Sequence, residues 1–159
     1  MFLYVKGQRC GIIKGESRDT KHEHEIDVIS WSWGMQGKPS LGGGSPTGKS
    51  IIHELKIVKR IDSASTPLMS SLRTNELITK AVLTVRKAGK TALEFLKITI
   101  EQGRVTSLTI DGGETSSGPD VIERVSFSFN KIAVEYVPQA KDGLGGGGTV
   151  FMDQFDEQA

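Results

Sequence analysis

Eight residues carry the sharpest chemical pattern in the chain. Gly43-Gly44-Ser45-Pro46-Thr47-Gly48-Lys49-Ser50 satisfies G-x-x-x-x-G-K-[ST], the phosphate-binding loop. In such a loop backbone N–H groups cradle phosphates, the lysine reaches the terminal ones and the hydroxyl ligates Mg²⁺. The chemistry requires a strand directly before the loop and a helix directly after it. The preceding strand ends near Gln36, several loop residues before Gly43. In the run after Ser50, Ile51, Leu55, Ile57 and Ile61 share a strand parity, while Ile51, Leu55 and Val58 also fit a helix. A second carboxylate for Mg²⁺ would fall on Leu108-Thr109-Ile110-Asp111, which reads as a strand entering a turn. Phosphate-loop enzymes need alternating strands and helices around a parallel sheet. This chain offers hairpins, so nucleotide binding through Gly43 to Ser50 stands as the alternative reading and not the leading one.

Other reactive side chains are sparse. His22-Glu23-His24 would put two histidines on one face of a strand, but His53 is the only third histidine and no fixed spacing recruits it. The pair is read as solvated loop. Cys10 is the only cysteine, so it makes no internal disulfide, and only Arg9 stands near it in sequence. Arg86-Lys87 and Lys59-Arg60 are read as solvated strand faces. No pair of acids has the spacing of an acid–base couple. The expectation is no catalytic residue, no cofactor and no metal. Trp31 and Trp33, two apart, share a strand face. They fit either core packing or an interface, where tryptophan is enriched.

The elements that must position these residues are mostly strands. Segment 79–88 alternates Ala81, Leu83 and Val85 against Lys80, Thr84 and Arg86. Segment 92–102 alternates Leu96, Ile98 and Ile100 against Lys97, Thr99 and Glu101. Ala88-Gly89-Lys90-Thr91 between them reads as a hairpin turn. Segment 104–110 is expected to end at a turn, Asp111-Gly112-Gly113. Segment 121–137 changes phase: Val125, Phe127 and Phe129 share one parity, Ile132, Val134 and Tyr136 the other. A switch at Asn130-Lys131 predicts a bend where the strand passes between sheets. Segment 25–36 shifts phase in the same way. One helix is expected, capped by Ser65 or Thr66 with Pro67 at its first position, carrying Leu68 and Leu72, and ending near Asn75.

Composition sets the bounds. The 159 residues suit one domain, with 25% charged and 36% apolar residues and a net charge of +1. Near-neutral charge gives no electrostatic reason to expect nucleic acid or an anionic membrane as partner. No apolar run approaches the roughly 18 residues of a transmembrane helix, so no membrane insertion is expected. The start, Met1-Phe2-Leu3-Tyr4-Val5-Lys6, lacks the charged and apolar regions of a signal peptide. Glycine is over-used, 19 residues, and 11 of them fall in residues 34–48 and 143–148. The first cluster is a long internal loop. The second sets off a tail. The predicted organisation is a single domain, 1–140, then a Gly-rich linker and short tail, 141–159. The predicted fold is mainly β: a two-sheet β-barrel with one short α-helix packed outside and a long extended Gly-rich loop.

Five blocks carry a further signal. They are Lys14-Gly15-Glu16-Ser17 with Asp19, Lys21 and His22; Glu25-Ile26-Asp27-Val28 leading into Ser30-Trp31-Ser32-Trp33-Gly34; the Gly-rich loop; Arg86-Lys87-Ala88-Gly89 with Leu93-Glu94-Phe95-Leu96; and Val134-Glu135-Tyr136. In this order and spacing they resemble the Hcp (haemolysin-coregulated protein) family, the inner-tube proteins of the bacterial type VI secretion system. The likeness covers residues 2 to about 138. It implies a two-sheet barrel with one helix and a loop that reaches to neighbours. It implies homohexameric rings stacked into a secreted tube, with spike, sheath and effector proteins as partners and effectors held in the lumen. It implies assembly in the cytoplasm and release to the extracellular space or a target cell. On this reading Trp31, Trp33, Lys38, Leu41, Gly42, Gly43, Gly44 and Lys49 form the candidate oligomer interface. Two stretches depart from the family pattern: Gln8-Arg9-Cys10-Gly11, which looks like an insertion, and the acidic tail from Thr149 to Asp156.

Overall fold

The computed structural model describes residues 1–37, 50–90, 92–140 and 145–155. Among the described residues twelve strands and one helix succeed one another: β1 (Phe2–Gly7), β2 (Gly11–Ile12), β3 (Ile26–Asp27), β4 (Ser30–Ser32), β5 (Met35–Gln36), β6 (Ile51–Ile52), β7 (Leu55–Arg60), α1 (Ser65–Arg73), β8 (Ile78–Arg86), β9 (Glu94–Thr115), β10 (Gly118–Ser128), β11 (Lys131–Tyr136) and β12 (Thr149–Gln154).

Every described ladder is antiparallel, and β9 organises them. Its first half pairs with β8 on one side and β11 on the other; its second half pairs with β10. One 22-residue strand therefore belongs to two sheets. The first sheet runs β2–β1–β8–β9–β11–β12, and the second runs β9–β10–β7–β4. The crossing point is Gln102-Gly103. Gln102 has φ 53°, and a Cβ on Gly103 would stand 2.0 Å from the carbonyl oxygen of Ser128. Only glycine lets the neighbouring backbone come that close. The expected switch at Asn130-Lys131 is present: β10 ends at Ser128 in one sheet and β11 starts at Lys131 in the other.

The ladders do not run unbroken around the molecule. One chain segment spans the gap between β1 and β7. Its first half, β3, pairs with β1, and its second, β4, pairs with β7. Between them Val28 N–H donates to Met1 O and Ile29 N–H to Val58 O. The phase shift expected over 25–36 is thus a strand broken into three pieces. Between the sheets lie Leu3, Val5, Leu55, Ile57, Leu83, Ile98, Ile100, Phe127 and Ile132, all buried. Leu68 of α1 closes the core from outside, with Leu72 one turn on. Burying each such side chain stabilises the fold by roughly 1.5–3 kcal/mol before ordering costs.

Two sequence expectations are corrected. Asp111-Gly112-Gly113 is not a turn: β9 runs through it to Thr115, and the reversal falls at Ser116-Ser117. Paired glycines on an exposed ribbon cost strand stability without forbidding it. The helix begins at Ser65 and its N-cap is Ala64, which makes no side-chain cap bond. Asp62 does that work from upstream, accepting Ala64 N–H at 2.9 Å, while Ser65 Oγ accepts Asp62 N–H at 2.9 Å. Pro67 therefore sits third in the helix, where an N–H is still unneeded. The segment after the second glycine cluster continues the first sheet: β12 pairs with β11 from Lys131↔Gln154 to Tyr136↔Thr149.

Candidate assembly surface

Trp31 sits on β4, opposite Ile57 of β7, in a lateral row that continues to Val125 of β10. Ile57 and Val125 are buried, so this row faces the core. Trp31 and Trp33 are both half-buried and pack against it. The Trp33 indole N–H is buried without a hydrogen-bond partner among the described residues. Ile29 and Met35, of the same sequence parity, are exposed. Among the described residues β4 has no ladder partner on its outer side, so Trp31 stands on an edge strand.

The remaining candidates, Lys38, Leu41, Gly42, Gly43, Gly44 and Lys49, lie outside the described residues. Their stem is described. Met35 pairs with Ile52 and Gln36 with Ile51, and His53 N–H donates to Gly34 O at 2.9 Å. Both ends of the loop are tied into one small ribbon with Met35 and Ile51 exposed on it. The residues directly after Ser50 therefore form a strand and not a helix. A phosphate loop needs that helix N-terminus, and the described ladders are all antiparallel. The nucleotide-binding alternative is not supported.

Several charged residues sit elsewhere than their sequence context suggests. Lys59 is fully buried, not solvated. Its Nζ reaches Asp62 at 2.8 Å, donates to Ser65 Oγ at 3.0 Å and to Glu123 Oε1 at 3.3 Å. Three acceptors match the three ammonium protons. His22 is also buried. Its ring stacks on Phe2 with centroids 4.4 Å apart, and its two nitrogens lie 2.5 Å from Glu25 and from Glu94. Arg86 pairs with Asp19 at 2.6 Å and its guanidinium lies over the Phe2 ring. The guanidinium holds the Asp19 carboxyl at about 2, below its ordinary 3.8. Lys59 thus points inward and exposed Arg60 outward, because adjacent strand residues face opposite ways, while Arg86 and Lys87 are both half-buried. That alternation was visible in the sequence; the burial of Lys59 was not, since its acids lie at Asp62 and Glu123.

Cys10 belongs to a third cluster. Glu76 Oε1 accepts the N–H groups of Arg9 and Cys10 at 2.7 and 2.8 Å, fixing the β1–β2 turn beside the end of α1. These backbone donors, Cys10 first, hold the Glu76 carboxyl below its usual range. Burial, and then Glu76 itself, pushes the Cys10 thiol up. A thiol held protonated is a poor nucleophile. Among the described residues no cluster of three or more His, Cys, Asp or Glu could hold a metal ion, and no helix is long and apolar enough to cross a membrane.

The sheet margins among the described residues carry further apolar side chains. Among these residues β12 pairs only with β11, and it exposes Val150, Phe151 and Met152. The second sheet, among the described residues, has free edges at β4 and along the far half of β9. Natural proteins blunt or cover such edges unless another chain pairs with them. Such margins are open to pairing with other chains.

Comparison with known proteins gives the class of this fold its name. The family described as "Type VI secretion system effector, Hcp" matches residues 2–136. Protein hcp1 of Pseudomonas aeruginosa is 39% identical over 146 residues, covering 89% of this chain and 88% of that protein. Among solved structures, Hcp1 from Salmonella typhimurium superposes with a TM-score of 0.76 at 30% identity, covering 97% of this chain and 94% of the other. A type six secretion system protein gives a TM-score of 0.81 at 26% identity, covering 93% and 91%. The chain belongs to the Hcp family. It is a subunit of the secreted type VI tube, and the family's fold and oligomerisation come with that membership.

Proposed function

We propose that this subunit assembles as a homohexameric ring, and that rings stack into an inner tube in the cytoplasm before export. Its role is mechanical, with no catalytic step, no cofactor and no nucleotide. The lumen holds effectors, and spike and sheath proteins meet the ends and the outer wall of the tube. One observation carries the reading. Among the described residues the second sheet has four strands and two free edges on opposite sides, β4 and the far half of β9. A surface whose two margins differ and are both unpaired suits a heterologous contact, in which one edge meets the other edge of the next copy and the rotation closes. Trp31 on β4 lies at that margin, as the interface reading of Trp31 and Trp33 requires. The loop carrying Lys38, Leu41, Gly42, Gly43, Gly44 and Lys49 leaves the barrel on its own ribbon, and is assigned to contacts with neighbouring copies. Sedimentation and end-on electron micrographs of the purified protein test this. The expected result is annuli of about six times the 17.2 kDa chain mass. A monodisperse monomer at high concentration overturns it.

A further inference from the structure

A notch of about 450 Å³ opens beside the end of β7, lined by Glu16, Asp27, Val28, Ile29, Arg60, Ile61 and Asp62. Its floor is apolar. Ile29 and Ile61 remain 39% and 48% exposed there, side by side in the notch lining. Its rim is acidic. Glu16 and Asp27 are exposed, and the only cation on the rim, Arg60, lies 3.5 Å from Asp120. An apolar floor under a carboxylate rim fits one kind of side chain: a long aliphatic stem ending in a cation, which covers the floor and brings its charge to the rim.

The opposite end of the same subunit presents such side chains. β1 starts with Phe2 opposite Asp27 beside the notch, and ends at Gly7 opposite Ile78. Just beyond lies the β1–β2 turn with exposed Arg9, held on Glu76. α1 runs the same way. It starts at Ser65, three residues after Asp62, and ends at exposed Arg73, about 13 Å further on. Arg9 and Arg73 thus flank one end of the barrel, and Glu16 and Asp27 the other. Opposite charges at opposite ends favour head-to-tail contact between copies and disfavour like ends meeting.

We propose that the notch is a docking site for a second copy of this chain, taking Arg73, with Arg9 beside it, onto the Ile29–Ile61 floor against Glu16 and Asp27. This rests on the tube reading and deepens it, since it names the side chains that set the polarity of stacking.

Charge reversal tests it. One variant carries Glu16→Lys and Asp27→Lys, a second carries Arg9→Glu and Arg73→Glu, and a third carries all four. Asp62 is left alone because it holds buried Lys59. Circular dichroism melting checks that each folds. Association is read by sedimentation velocity at low salt and at about 0.5 M NaCl, where exposed charges are screened beyond a few ångströms. Expected are at least about tenfold weaker end-to-end association in either double variant, recovery in the fourfold variant, and a parent preference that weakens with salt. Rings and stacks unchanged in folded double variants overturn this inference and leave the ring reading standing. So does failure of the fourfold variant to recover. A parent that does not associate at all overturns both.

Discussion

Two ion clusters in this subunit use the same chemistry with opposite consequences. Lys59 with Asp62 and Glu123 is sealed between β7, β10 and the start of α1; Lys59 and Glu123 are 0% exposed. Arg86 with Asp19, beside the stacked Phe2 and His22, sits at the end of β8 with each partner about a fifth exposed. In the first, desolvation has already been met, and any lost partner leaves a charge stranded in low dielectric. In the second, water screens the pair and takes over when a partner is lost. One strap joins them. Residues 14–25 tie to Ser63 at one end, through Lys14 O and the Glu16 carboxylate, and to Arg86 and Glu94 at the other, through Asp19 and His22. The family block around Lys14-Gly15-Glu16-Ser17 and Asp19-Lys21-His22 is this strap. Its residues hold the barrel's outer seam between two charge clusters.

The largest effect is expected at Lys59. Lys59→Met removes the cation and leaves Glu123 buried with neither oxygen paired, since Glu123 Oε2 already lacks a partner among the described residues. Breaking a buried pair from one side costs about 3–5 kcal/mol. Lys59→Met with Glu123→Leu replaces the pair by apolar volume and recovers most of that loss, because Asp62 keeps the N–H of Ala64. Urea unfolding of the single and double variants reads both values. A single variant within about 1 kcal/mol of the parent would show that the cluster is not the sealed one.

The strap comes next. A Cβ on Gly15 would lie 2.6 Å from the carbonyl oxygen of Glu25 and 2.7 Å from the Cα of Ile26, and both are backbone atoms. Gly15 N–H also donates to His24 O at 2.7 Å. Gly15→Ala must therefore push the two passes of the strap apart, at about 1–3 kcal/mol. Hydrogen exchange separates this from global loss. Amides of residues 14–25 should exchange faster, while those of β7 and β10 keep their protection. Uniform acceleration through β7 and β10 would mean that the strap and the sealed cluster open together.

The sequence made the scaffold legible and hid the clusters. Alternation over 79–88 and 92–102 marked β8 and the first half of β9, and the parity flip at Asn130-Lys131 marked the passage between sheets. These signals are local, since side chains two apart share a face. The second half of β9 was misjudged because Asp111-Gly112-Gly113 carries a turn's composition. Pairing with β10, from Asp111↔Ile122 onward, overrides it. The histidine pair misled for a different reason. His22 is buried by Phe2 and Glu94, 20 and 72 positions away, and nothing near it in the chain announces either. Lys59 is the same case across 64 positions to Glu123. Of the candidate interface, Trp31 and Trp33 lie half-buried against the core, and their place at a subunit boundary belongs to the proposal. Residues 38–49 of the Gly-rich stretch lie outside the described residues, and residues without side chains state no partner in the sequence.

The smallest effect is the one that most sharpens the contrast, because it is read as a slope and not as a loss. Asp19 titrates at about 2 in the folded protein and near 3.8 when free, chiefly because Arg86 donates a hydrogen bond to its carboxylate. A lowered carboxyl value means that the folded state favours the ionised form. The stabilisation is therefore complete above about pH 4 and is lost as the pH falls through 2. Asp19→Asn keeps the shape and removes the ionisation. The stability gap between parent and Asp19→Asn should be constant from neutral pH down to about 4, then close towards pH 2. Because the pair is open to water, salt should narrow the gap as well. Urea unfolding at several pH values, taken as the difference between the two proteins, cancels the acids they share. A gap that ignores both pH and salt would mean that Asp19 acts through its backbone turn with Lys21 alone, and that the outer cluster is held by His22 and Phe2 and not by its ion pair.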